Sequence, residues 1–462
     1  MRALTKAVIG AAAFLLVVSW IVPAEETAHP ALNWPMFRGV NATGVSSGGP
    51  LPVSWNPQSQ ANIRWTFRDP GLGLSSPVVW GNQVFITTAV SAGARSGLGK
   101  ITPDVLGQGV DMSSAADNSE QQWIVYCLDR NTGNVLWKSV LYRGIPRSKR
   151  HPMNSFATPT PAVDGQHLLV MFGSEGLYCL DLAGKVLWKK DFGVLNIGSY
   201  ETRDYQWGYA SSPILYGYLV IVQCDTDRKG FLMALDVQSG REVWKVARAE
   251  LPSWSTPALQ TEWNPPQLVV VAPFNVSAYN VLNGDRVWKL YWGMDITEST
   301  PVVSSDTVFV STGKGEKSPI YAVGRKAVGD ITLAAGETSN FAVRWSKGKG
   351  GAMTTTPILY GDYLYSITDL GILRCYVAAT GEVVYEKRMP AAFQASPVAG
   401  DGKLYLTSMD GDVFVIKAGP HFELLATNAM DDTTQATPAI SGTMLLVRTR
   451  QMLYSIAVPG SS

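Results

Sequence analysis

The sequence predicts an all-β protein, an eight-bladed β-propeller of four-stranded antiparallel blades whose ring is closed by a strand near the N-terminus. Three observations predict it. A Ser/Thr-Pro dipeptide followed by an apolar stretch recurs at Ser76-Pro77, Thr160-Pro161, Ser212-Pro213, Thr256-Pro257, Thr300-Pro301, Thr356-Pro357, Ser396-Pro397 and Thr437-Pro438. After each recurrence comes the same succession of short β-branched or aromatic runs bounded by Gly, Asp or Ser. The last succession stops one run short, and an unassigned run of the missing kind lies ahead of the first.

Successive motif prolines are 84, 52, 44, 44, 56, 40 and 41 residues apart, and a period of roughly 40–50 residues is that of propeller blades. The third unit displays the four strands plainly, as SSPILY, YLVIVQC, FLMALDV and REVWKVA. The turn before the fourth strand carries Gly-x-x-x-Trp at Gly133 to Trp137, Gly184 to Trp188, Gly240 to Trp244 and Gly284 to Trp288, with Gly381 to Tyr385 a weakened copy. A glycine there permits the positive φ of a tight turn, and an indole four residues later can lie between neighbouring blades.

The eighth unit ends at MLYSIAV without an outer strand, so NIRWTF, with Trp65, is predicted to complete it. The propeller then occupies residues 62–458. Such closure pairs the two chain ends in one blade and removes the open edges of a linear array. Cys127, Cys179 and Cys375 fall at the third-strand position that holds Ala234 and Ala278 in other units, and Cys224 falls on a second strand. Stacked sheets lie about 10 Å apart, too far for a disulfide, so all four are expected to be free buried thiols.

At the N-terminus, Arg2 and Lys6 precede an apolar run over residues 7–22 and then Val22-Pro23-Ala24. This pattern reads as a signal segment, 1–24, cleaved near Ala24, followed by an N-terminal extension over 25–61. The run is shorter than the ~20 residues a spanning helix needs. The expected location is therefore periplasmic or secreted, with no stable membrane span after cleavage. Lys plus Arg number 38 against 37 Asp plus Glu, which leaves no basic excess to draw the chain onto nucleic acid.

The repeats LYCLDLAGKVLWK and LMALDVQSGREVWK resemble the tryptophan-docked repeat of the pyrroloquinoline-quinone (PQQ)-like propeller superfamily. The segments NWPMFRGVNATGVS, NSFATPTPAVDG and DGDVFVIKAGP are similar to those of exported bacterial PQQ-binding-like propellers. Two branches of the superfamily imply different functions. Quinoprotein alcohol dehydrogenases hold the quinone between a tryptophan and a disulfide of adjacent cysteines, beside a metal bound by Glu, Asn and Asp. The outer-membrane assembly factor BamB is a scaffold. This sequence has no Cys-Cys pair, no CxxCH and no alignable metal triad, and no cysteine lies near the cleavage point for a lipid anchor. No cofactor is expected, PQQ with calcium being the alternative.

In an antiparallel meander the links between blades and the loops between second and third strands emerge on one face. The insertion over 91–121 and the links over 141–157 and 192–210 all fall there, above blades one to three. That face is the functional candidate. Its first link carries Arg143, Arg147, Lys149, Arg150 and His151, a local positive patch suited to an anionic ligand or partner, or equally a solvated loop. Asn154, Ser211, Ser255, Thr355 and Gln435 are expected to line the channel. Tyr200, Asp204, Tyr205, Trp207 and Trp254 stand just before inner strands, where aromatics either stack on a planar ligand or sugar or cap the channel mouth. Asp225-Thr226-Asp227 reads as a turn rather than a calcium loop. No HExxH, Walker loop or nucleophile elbow occurs. The sequence thus points to a non-catalytic propeller binding a protein partner or a small anionic or planar ligand through Arg147, Arg150, His151, Asn154, Tyr205, Trp207 and Trp254. A PQQ-dependent alcohol dehydrogenase-like oxidoreductase with a reduced site is the alternative.

Overall fold

The computed structural model describes residues 32–93, 115, 117–198, 205–227, 229–294, 296–313 and 317–460. The expected signal segment, Tyr200, Asp204 and most of the insertion over 91–121 lie outside the described residues. Eight antiparallel sheets follow one another around a ring, each running from an inner strand at the channel to an outer strand at the rim. Blades 1 to 8 span 78–144, 162–190, 214–248, 258–291, 302–347, 358–388, 398–429 and 439–457.

Blade 8 supplies only three strands from its own unit, and the fourth is Ile63–Arg68. It pairs antiparallel with Met452–Ala457, Phe67 opposite Leu453 and Arg68 opposite Met452, so the expected ring closure is present. Blade 4 departs from the expected four strands. Gly329–Asp330, from the long third-to-fourth connection of blade 5, adds a short parallel strand outside Arg286–Tyr291.

The outer tryptophans join one blade to the next. The indole N–H of Trp65 in blade 8 donates to the carbonyl of Arg130 in blade 1 at 2.8 Å, and Trp137 donates in the same way to Leu182 of blade 2 at 2.9 Å. Trp188, Trp244 and Trp345 repeat this onto Val237, Val281 and Ala378. The turn glycine matters for a second reason besides its φ of 72°: a Cβ on Gly133 would stand 2.5 Å from the Trp65 ring. The same close approach recurs between Gly184 and Trp137. Trp288 breaks the series, donating to Gln267 within its own blade at 2.9 Å.

The third-strand position opposite each outer aromatic is small because the ring must fit over it. Cys127 faces Trp137, Cys179 faces Trp188, Ala234 faces Trp244 and Cys375 faces Tyr385 across the strand pair. All four cysteines are buried and free. Burial pushes the thiols of Cys127, Cys179 and Cys224 up to about 12 and that of Cys375 to about 11, so none supplies a thiolate near neutral pH.

Residues 34–45 cross one end of the channel and plug it. Trp34 pairs with Val79 of blade 1, the Pro35 carbonyl accepts from Val163 of blade 2, and Val45 pairs with Ala399 of blade 7. Between them Arg38 is fully buried, with its guanidinium donating to the carbonyls of Pro357 and Pro397 at 2.9 and 3.0 Å. Desolvation lowers its pKa to about 9, and the carbonyl cage offsets part of that cost. No helix among the described residues is long and apolar enough to cross a membrane.

Candidate functional site

The chain enters every blade in extended form, so alternate side chains face the channel. The Ser/Thr of each Ser/Thr-Pro motif lies on the channel side and builds a hydrogen-bonded belt. The backbone N–H of Ser76 donates to Thr160 Oγ1 at 2.9 Å, Thr160 to Ser212 Oγ at 3.0 Å, and Ser212 to Thr256 Oγ1 at 3.0 Å. The belt resumes from Thr300 to Thr356, Ser396 and Thr437. The recurrence that revealed the fold is therefore a chain of blade-to-blade bonds, made by a hydroxyl that accepts and a proline that fixes the approach.

Two residues before each belt position the same phase recurs, giving a second ring of Leu74, Thr158, Ala210, Trp254, Glu298, Thr354, Gln394 and Gln435. Apart from Thr300, the residues of the two rings wall a cavity of about 500 Å³, with Phe37 of the plug as another lining residue. Ser211, Ser255 and Thr355, expected to line the channel, are one residue out of phase and do not. Ser255 Oγ donates instead to the carbonyl of Ser299 at 2.9 Å and Thr355 Oγ1 to that of Ile367. A shift of one residue turns an extended segment's side chains over.

The 192–210 link and the one after it meet at the cavity through Trp207 and Trp254, whose rings lie 5.3 Å apart at 35°. The Trp254 N–H donates to the Gly208 carbonyl at 2.7 Å, so this indole offers the cavity carbon surface. The 141–157 link folds across the mouth. Asn154 Nδ2 donates to the Trp207 carbonyl at 2.7 Å, and Gln435 Nε2, from the entry to blade 8, donates to the Met153 carbonyl at 3.0 Å. His151 Nδ1 accepts from the Met153 N–H at 3.1 Å, placing the ring proton on Nε2.

His151, Asn154, Trp207 and Trp254 are thus brought together on one cavity wall. Arg147, Arg150 and Tyr205 are not among its lining residues. The expected positive patch is largely neutralised by pairing. Arg147 holds Asp191 at 3.0 Å and the Ser174 carbonyl at 2.7 Å, Arg150 is buried against Asp117 at 2.5 Å, and Arg143 lies 3.9 Å from Glu120. These pairs fasten the link to its neighbours.

Sequence reasoning missed Glu298, the one carboxyl on the described cavity wall. Burial, then the charge of Asp369, pushes its pKa up to about 8, so it is chiefly protonated at neutral pH and both donates and accepts hydrogen bonds. Asp369 is itself raised by burial while accepting the backbone N–H groups of Met353 and Thr354 at 3.0 and 3.1 Å. The signal was available as the second position before Thr300.

A second raised carboxyl anchors the same face. Burial pushes Glu175 up to about 7, against the Arg147 N–H that donates to its Oε1 at 2.9 Å. The folded state therefore keeps a proton that the unfolded chain releases above its ordinary value near 4.5, and stability falls as pH rises from there to about 7. Glu175→Gln keeps the accepting oxygen without the charge. It is expected to melt a few degrees above wild type at pH 8, by about 2 kcal/mol, and level with it near pH 4.5. Calorimetry at both values checks this, and equal melting at pH 8 would count against the buried charge.

A family model described as outer membrane protein assembly factor BamB matches residues 121–376 and 338–419. The chain belongs to this BamB family. Among solved structures, BamB from Moraxella catarrhalis is 14% identical with a TM-score of 0.52, covering 81% of this chain and 99% of that chain. Quinohemoprotein alcohol dehydrogenase from Comamonas testosteroni is 11% identical with a TM-score of 0.62, covering 95% and 82%. The computationally designed Ika8 protein is 11% identical with a TM-score of 0.56, covering 86% and 99%. No curated protein sequence matches. At such identities the likeness is one of fold, and a fold shared by an assembly factor, an enzyme and a design does not assign a reaction.

The described cavity wall of this BamB-family chain does not fit PQQ with calcium. The quinone is a polycarboxylate, and the wall presents no Arg or Lys to it. No two cysteines are adjacent, and among the described residues no group of three His, Cys, Asp or Glu is placed to hold a metal ion.

Proposed function

We propose that this protein is an exported, non-catalytic propeller that binds a small ligand in the cavity at its link face. The supporting observation is the cavity itself. Its volume of about 500 Å³ falls in the range of roughly 300–1,000 Å³ used for small molecules, and residues from all eight blade entries converge on it. Export rests on Arg2, Lys6 and the apolar run that follows.

Ala210 stands in the second ring, so Ala210→Trp fills the cavity while leaving the belt in place. A thermal-shift series with uncharged metabolites, and with PQQ plus calcium, is expected to find stabilising compounds whose effect the variant abolishes. Dye-linked alcohol oxidation by the PQQ-treated protein would overturn the non-catalytic reading.

A second reading, a protein partner on the same face, is favoured by one feature. Ile145 and Val194 are 62% and 52% exposed on the two links that Arg147 and Asp191 join, and exposed apolar groups on ordered loops suit a protein contact.

A further inference from the structure

We propose that the ligand of this cavity is an uncharged, polyhydroxylated ring, a mono- or disaccharide, held with its carbon face against Trp254 and Trp207 and its hydroxyls toward Glu298, Thr354, Gln394 and Gln435. This rests on the ligand-binding reading above and names the class of compound. The wall is divided by chemistry. In an eightfold ring the entries to blades 3 and 4, which carry Trp207 and Trp254, stand half a turn from those of blades 7 and 8, which carry Gln394 and Gln435. Glu298 and Thr354 occupy the arc between. An aromatic wall facing amides suits a molecule with an apolar face and a hydroxylated edge.

The polar atoms are left in a pattern that hydroxyls complete. Gln435 Nε2 donates to Gln394 Oε1 at 2.7 Å, which leaves the Gln394 Nε2 donor and the Gln435 Oε1 acceptor without protein partners among the described residues. A hydroxyl both donates and accepts, so one group can answer neighbouring donor and acceptor sites.

Charge argues the same way. The described wall holds no Arg or Lys, so a carboxylate or phosphate entering it would leave water without a counter-ion. Protonated Glu298 likewise offers no fixed anion to a cation. A purely apolar planar molecule would leave Gln394 and Gln435 unsatisfied.

The test titrates the full protein at pH 7 with glucose, maltose, cellobiose and chitobiose, following tryptophan fluorescence and melting temperature. Glucuronate, PQQ and indole serve as charged and apolar comparators. Saturable binding of at least one neutral sugar is expected, at least tenfold tighter than glucuronate. Trp254→Leu and Gln435→Leu, each checked for a cooperative melt, should weaken it tenfold or more. Binding of indole or PQQ without any neutral sugar would overturn the saccharide class and leave the cavity reading standing. If neither sugars nor planar probes bind, the cavity reading falls as well.

Discussion

A chain beginning at Asp69 is expected to lose the single cooperative melt of the full protein. Its blade 8 would end at Met452–Ala457, whose outer edge pairs with Ile63–Arg68 in the closed ring. The truncation also removes Trp65, which is 7% exposed and bonded to blade 1 through the Arg130 carbonyl. Arg130 in turn donates to Ser441 Oγ of blade 8 at 2.8 Å, so the contact between the first and last blades is built from both sides. An open ring exposes one unpaired strand and two apolar blade faces together. Because the truncation deletes the channel plug as well, Trp65→Ala isolates the closure. Loss of a buried indole costs about 3–5 kcal/mol, read as a lowered denaturant midpoint. If the Asp69 chain and Trp65→Ala both unfold like wild type, the closing strand is not what completes the ring.

The closing strand was legible because it belongs to the repeat: a missing outer strand at one end of the sequence and a spare one at the other have one solution. Cys127, Cys179 and Cys375 were legible for the same reason, each standing where other units carry alanine opposite the outer aromatic. What the repeat does not encode was harder to read. The plug over 34–45 has no counterpart in any blade, and its lone Arg38 gives no hint in the sequence that proline carbonyls of blades 6 and 7 receive it. The phase of the channel wall was misread by one residue at Ser211, Ser255 and Thr355, since small polar residues occur on both sides of the approach. That slip concealed Glu298, which shares its phase with Trp254. Arg147 and Arg150 seemed a patch because their partners Asp191 and Asp117 are distant in sequence, and only the folded links bring them together. The short fifth strand of blade 4 comes from a neighbouring blade's insertion, and pairing of that kind leaves no period to detect.

Arg448→Met is expected to be among the most damaging single substitutions in the protein. Arg448 and Asp69 are both almost fully buried and form an ion pair between the second strand of blade 8 and the residue that follows the closing strand. The same guanidinium donates to the Ser75 carbonyl and Oγ at 2.9 and 2.7 Å and to the Thr87 carbonyl at 2.8 Å. One side chain thus ties blade 8 to the entry and second strand of blade 1. Removing it strands the Asp69 carboxylate where water does not reach, and breaking a buried pair from one side costs about 3–5 kcal/mol. The neutral shape-mimic Asp69→Leu, added to Arg448→Met, should recover part of the loss, because no charge then remains buried. Recovery stays incomplete, since the carbonyls of Ser75 and Thr87 still lack their donor, and each unsatisfied buried acceptor costs roughly 1–3 kcal/mol. A double-mutant cycle by urea denaturation reads both effects. Additive losses would mean that the two side chains contribute only packing, and that the seam between first and last blades is held by Trp65 and the strand pairing alone.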